Sequence, residues 1–136
     1  MRIVRFNRPL KDRRAAACVE LAICLPIMMA LVLGSIEACS MIYSQQALHV
    51  GAYEAARVAI QPDRNSADAI QAANNVLASQ GVKRATVRLS PTEVSTLNAG
   101  RRITVTVTAT ISANRVSPTF FFTRRNLRAV CVMVKE

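Results

Sequence analysis

Glu20 is the residue whose type and setting most demand chemistry. It is the only carboxylate in AAACVELAICLPIMMALVLGSI, residues 15–36, where the other ionisable groups are the thiols of Cys18 and Cys24. Hydrocarbon cannot solvate a carboxylate, so Glu20 needs either a cation or donor in an assembled state, or a wet position at a membrane interface. The spacing fits both settings. Glu20, Glu37 and Glu54 recur every seventeen residues, too far apart on a helix to cooperate in one site.

The other reactive side chains do not assemble. Cys18, Cys24 and Cys39 lie in or beside the apolar segment, and Cys131 lies in a strand-like run. Their spacing fits no zinc site, and the single histidine, His49, completes no Cys/His or Ser/His/Asp set. The cysteines read as small apolar packing residues, with an intermolecular bridge through Cys39 as the alternative. Four glycines supply no phosphate-cradling loop. The expectation is therefore a non-enzyme with no catalytic residues, no metal, no cofactor and no small-molecule substrate.

The elements that position these residues begin with charge. The 136-residue chain carries a net +10, and six bases against one acid fall in the first fourteen residues: Arg2, Arg5, Arg8, Lys11, Arg13 and Arg14 against Asp12. The later bases are scattered, without aromatic interleaving or a binding motif, so nucleic acid is not an expected partner. A basic block before an apolar run reads as a topogenic signal. The continuous apolar core, residues 21–36, is short of the roughly 20 residues that span a bilayer, and extension through Glu20 or past Glu37 supplies the rest. The positive-inside rule places the N-terminus in the cytoplasm and the chain beyond Tyr43 across the membrane. Ala30, Gly34 and Ala38 are spaced by four, a small-residue stripe that lets another helix approach closely. Pro26 removes one backbone donor and loosens the helix locally.

Helical periodicity continues past the membrane. Leu48, Ala52, Ala55 and Ala59 share one face, Glu54 and Arg57 can pair on the surface, and Pro62 is a stop. A second helix is expected over residues 67–80, capped by Asn65 or Ser66 and ended by Gly81, with Ile70, Ala73, Val76 and Leu77 as its buried stripe. Three strands follow. Residues 85–89 are a short candidate. Residues 101–111 alternate Ile103, Val105, Val107, Ala109 and Ile111 against Thr104, Thr106, Thr108 and Thr110, and the threonines read as a solvent face. Residues 127–134 are apolar on both faces, which suits a central strand or one covered by a helix on one side. Phe120, Phe121 and Phe122 read as a loop anchored in the core, with an exposed contact patch as the alternative. The predicted fold is α+β: a basic leader over 1–15, a long transmembrane and extramembrane helix over 16–61, and a small extracytoplasmic unit with one helix and an antiparallel sheet of about three strands over 62–136.

Taken together, RRAAACVELAICLPIMMALVLGSIEACSMIYSQQALHVGAYEAARVAI, residues 13–60, resembles the TadE-like pseudopilins of the tight-adherence (Flp-type) pilus system. The resemblance rests on Arg13 and Arg14, the small residues Ala15 to Ala17, Glu20, the step Leu25-Pro26, Tyr43, Gln46-Ala47-Leu48 and the run from Glu54 to Arg57. It covers about a third of the chain. It implies a minor pseudopilin or assembly component whose partners are the membrane, other pilin or Tad subunits and a prepilin peptidase. It also implies a leader junction at Arg14, Ala15 and Ala16, with cleavage between the two alanines. Glu20 would then be the fifth mature residue and would set subunit registry by pairing with a neighbour's terminal amine. Two positions depart from the family pattern: Ala15 stands where glycine is usual, and Leu21 where an aromatic residue commonly follows the glutamate. The alternative is a secreted or lipid-anchored binding domain whose apolar stretch is an export signal, cut near Cys39.

Overall fold

The computed structural model describes residues 11–110 and 126–135, with the side chains of residues 11 and 12 excepted. Arg2, Arg5, Arg8 and the Phe120–Phe122 run lie outside the described residues. Five elements follow in order: α1 (Lys11–Ala59), α2 (Ser66–Ser79), β1 (Ala85–Ser90), β2 (Arg102–Thr110) and β3 (Asn126–Val134). The chain divides into two compact units, with the boundary after Ile36.

The first unit is the N-terminal length of α1. Helix formers without branching at Cβ, Ala, Leu and Met, keep it helical through Pro26, whose missing N–H leaves the Ala22 carbonyl without its usual donor. Ser35 hides its hydroxyl by donating to the Leu31 carbonyl at 2.8 Å.

The second unit, Glu37–Glu136, holds the core. The rest of α1 turns one face inward, and Leu48, Ala52, Ala55, Ala56 and Ala59 are fully buried there. The surface pair expected on the other side is present, Arg57 Nη1 lying 3.4 Å from Glu54 Oε2. α2 begins with a capping box: the Asp68 N–H donates to Asn65 Oδ1 at 2.9 Å, and the Asn65 N–H to Asp68 Oδ2 at 3.3 Å. It ends as a Schellman motif on Gly81, at φ +72°. The Gly81 N–H reaches the Ala78 carbonyl at 3.0 Å and the Val82 N–H the Leu77 carbonyl at 2.9 Å.

The buried stripe of α2 is Ala69, Ala73 and Leu77 rather than the expected Ile70 and Val76, which are only half-buried. The reason is the close approach of α1. At Gly51 an added Cβ would stand 3.0 Å from Leu77 Cγ, so Leu77 occupies the space a side chain would need. Tyr43 Oη, donating to Gln80 Oε1 at 2.7 Å, adds a second tie between α1 and the same C-terminal end of α2. Small residues at the contact permit this spacing, and the helix rotates to present alanines instead of isoleucine.

The sheet is antiparallel in the order β1-β2-β3. Ile103, Val105, Val107 and Ala109 of β2 are buried, and Thr104, Thr106 and Thr108 face outward, as the alternation requires. Between β1 and β2, Val94 plugs the core. Ser66 Oγ accepts from the Val94 N–H at 3.2 Å and donates to the Thr92 carbonyl, and Lys135 Nζ donates to the Val94 carbonyl at 2.8 Å. Of the two settings expected for residues 127–134, the central one does not hold: among the described residues β3 lies at the edge of the sheet. Its Leu127, Ala129, Cys131 and Met133 pack on the core, but Val130, Val132 and Val134 face outward and are 42%, 53% and 50% exposed.

Candidate functional site

Three surfaces stand out among the described residues. The first is the α1 segment of the N-terminal unit. Leu21, Ile23, Leu25, Ile27, Met28 and Leu31 are all more than half exposed, and the apolar side chains surround the helix instead of forming a stripe. An 18-residue window of this helix has a mean hydropathy of 2.4 and is 0% buried. A helix apolar all round and unburied has no stable place in water, whereas hydrocarbon satisfies it. α1 is thus long and apolar enough to cross a membrane.

Glu20 is exposed on this segment. Its helical neighbours at three and four positions, Ala16, Ala17, Ile23 and Cys24, offer no cation, so its own helix supplies no ion pair of that kind. Arg14, Ala15 and Ala16 are exposed in the first turns of α1, one to two turns before Glu20. Ala30 is exposed and Gly34 half-buried. At 3.6 residues per turn both lie within about 80° of Glu20 around the axis, so the carboxylate and these small residues share one side of the helix. Ala38, also half-buried, belongs to the second unit.

The second surface is the outer face of the sheet. A depression of about 520 Å³ there is lined by Thr86, Arg88, Ser90, Thr106, Thr108 and Arg128, with Leu89 at its margin. The threonines supply hydroxyls and the two arginines fixed positive charge, with no titratable group poised as an acid or base. Another recess, of about 470 Å³, lies between Met41, Ile42, Gln45, Gln46 and His49 of α1 and Leu127 of β3. Gln45 Nε2 stands 3.2 Å from His49 Nε2 and donates to the Arg128 carbonyl at 2.9 Å.

The cysteines do not meet. Cys18, Cys24 and Cys39 are exposed on α1, and Cys131 is half-buried in β3, where burial raises its thiol pKa above the ordinary value. Among the described residues no cluster of three His, Cys, Asp or Glu side chains could hold a metal ion.

The exposed segment of α1 and part of its buried continuation are also what a family model matches. Residues 15–57 match the family model of TadE-like protein. The match starts at Ala15, contains Glu20, Leu25-Pro26 and the small-residue stripe, and stops two residues before α1 ends. It overlaps residues 13–60, which carry the resemblance read from the sequence, and covers about a third of the chain. No curated protein and no solved structure matches the chain.

Sequence reasoning missed Gly51 and Gln45, and it read Ser66 as a cap candidate without its bonds to Thr92 and Val94. Gly51 stands out only as the one residue without a side chain in an alanine-rich helical face. The roles of Ser66 and Gln45 depend on main-chain groups 26 and 83 residues away, which no local pattern announces.

Proposed function

We propose that this chain is a minor pseudopilin or assembly component of a bacterial tight-adherence pilus apparatus. Its α1 helix inserts once in the cytoplasmic membrane, and its α+β unit stands outside. The observation that carries this reading is the TadE-like match over residues 15–57, which takes in the stretch of α1 before Ile36 whose apolar side chains are unburied all round. The basic residues before the apolar run keep the N-terminus cytoplasmic. A prepilin peptidase, acting on that side, cuts between Ala15 and Ala16 after the leader that ends with Arg14 and Ala15.

Glu20 then sits five residues into the mature chain. With no cation at its helical neighbours, it takes its partner from the terminal amine of an adjacent subunit and so fixes registry. In hydrocarbon that pairing is favoured because the alternative is an uncompensated carboxylate. The Ala30, Gly34 and Ala38 stripe lets the neighbouring helix come close. Association with the membrane and with other pilin or Tad subunits is the whole of the activity.

Mass spectrometry of membrane-purified protein tests the processing. A mature chain beginning at Ala16 supports the pseudopilin. An intact Met1 makes it an unprocessed assembly factor. A start near Cys39 overturns the reading in favour of an exported binding domain. Glu20→Ala tests registry separately: pilus assembly is lost, while the protein remains in the membrane fraction at its normal level. Normal piliation with Ala at that position would remove Glu20 from the mechanism.

A further inference from the structure

The two edges of the sheet differ in how they are protected. β1 has six residues, carries Arg88 near its middle and is followed directly by Pro91. A short, charged strand that runs into proline resists further pairing. β3 has nine residues and no proline, and its stretch 130–134 (Val-Cys-Val-Met-Val) has no charge. Along that stretch both faces are apolar, and β2 is its only partner strand among the described residues.

The direction of its main-chain groups is fixed by two hydrogen bonds at its end. The Lys135 N–H donates to the Arg101 carbonyl at 3.0 Å, and the Lys135 carbonyl accepts from the Gly100 N–H at 2.8 Å. Both groups of Lys135 therefore turn toward β2. Alternation along an antiparallel strand turns those of Met133, Cys131 and Ala129 the same way, and those of Val134, Val132, Val130 and Arg128 toward the open edge. Gln45 confirms the phase independently, since it reaches the Arg128 carbonyl from outside the sheet. One of the four outward positions is thus capped by α1, and three valines remain.

We propose that β3 pairs antiparallel with β3 of a second copy of this chain, in a register centred on Val132. Three registers would match outward groups with outward groups near this point: those centred on Val130, on Cys131 and on Val132. The first sets Arg128 opposite Val132 of the second copy and the next sets it opposite Val134, so both compete with Gln45 for the Arg128 carbonyl. The register centred on Val132 uses the three free residues alone. It sets Val132 opposite itself and Val130 opposite Val134, a self-complementary arrangement that needs no other sequence. All six valines then stand in one row on the outer face, where directly opposed β-branched side chains stabilise a strand pair. No like charges are opposed within the paired stretch, whereas two copies of β1 paired about their middle would oppose Arg88 to itself or to its neighbours. The result is a six-stranded sheet shared by two subunits. This surface lies within the second unit and does not depend on what the membrane helix does.

Single thiols placed along the strand test it. The full chain is prepared in detergent micelles with Cys18, Cys24, Cys39 and Cys131 replaced by alanine, and V132C or V130C is added. Residues opposed in a hydrogen-bonded pair have Cα atoms about 5.5 Å apart, within the range that disulfides span. V132C should therefore cross-link to a dimer under mild oxidation, at least ten-fold more than V130C. Both positions are exposed, so folding is retained and checked by the thermal transition. In the parent chain, amide exchange at Val130, Val132 and Val134 should slow as protein concentration rises. A cross-link through V130C instead of V132C would overturn the register. No cross-link in either folded variant would overturn the pairing. Protection of the three amides that is independent of concentration would mean the edge is covered within one chain, and would overturn it too.

Discussion

The helix α1 is built two ways. Before Ile36 its large apolar side chains, such as Leu25 and Leu31, are exposed around the whole circumference. After Glu37 its inward face is alanine, with Leu48 and Gly51 among them, and that face is buried. The first stretch has high hydropathy and no packing, and the second has packing made from the smallest side chains. The lesson is that apolar content alone does not say where a helix belongs. Side-chain size decides it: large residues on all sides call for a solvent, whereas small residues on one side call for a close neighbour.

The strongest way to break this comparison is to charge the first stretch. Ile27→Arg with Leu31→Arg places two guanidinium groups near the centre of the apolar run, at about 2.5 to 3.5 kcal/mol each against insertion. The double variant should leave the membrane fraction, as carbonate extraction would measure, while a folded second unit keeps its thermal transition. Retention in the membrane at the parent level would show that the apolar circumference is not what holds the chain there.

Gly51→Val sharpens the comparison from the other side. A Cβ at Gly51 already stands 3.0 Å from Leu77 Cγ and 3.1 Å from one of its methyls, and Leu77 is only 2% exposed. Overpacking of this kind costs about 1–3 kcal/mol. The denaturation midpoint should fall accordingly, and membrane partitioning should not change. Leu77→Ala in the same chain opens the space that valine needs. The two losses should then be less than additive, a coupling that a double-mutant cycle reads directly. Full additivity would mean that Gly51 and Leu77 do not share that space.

How much of this was legible in the residues varies by element. The alternation in β2 predicted its buried and threonine faces because a half-buried strand has a period of two and nothing else competes. The cap at Asn65 and the stop at Gly81 were legible because both act within a few residues. The rotation of α2 was not, since Ala69 replaces Ile70 only because a glycine 26 positions from Leu77 lets two helices close in. Both faces of β3 are apolar, as read, but only the face with Leu127, Ala129, Cys131 and Met133 packs on the core, and strand pattern alone does not say which face that is. In the candidate site, Glu20 and the stripe Ala30, Gly34 and Ala38 could be picked out by residue type and spacing, but burial within one chain does not assign them a role: Glu20 and Ala30 are exposed, Gly34 and Ala38 half-buried.

The thiols give the finest comparison between the regions. Cys131 packs against the core of the second unit, and desolvation there raises its pKa above that of an ordinary thiol. Raising the pKa in the folded state favours the neutral thiol, so the folded chain holds this proton to higher pH than the unfolded chain. The contribution to stability is fully present below the unfolded thiol's pKa and is lost as pH rises through the folded value. A denaturation series should therefore show a difference between the parent and Cys131→Ala that is flat from pH 6 to about 8 and shrinks above pH 9, where the parent loses its advantage. Alkylation at pH 8 gives a second reading, since the thiolate is the reactive species. Cys131 should be modified more slowly in the native chain than in urea. Equal rates in the two states would mean that β3 opens freely and that its inner face is not packed as Leu127, Ala129 and Met133 require.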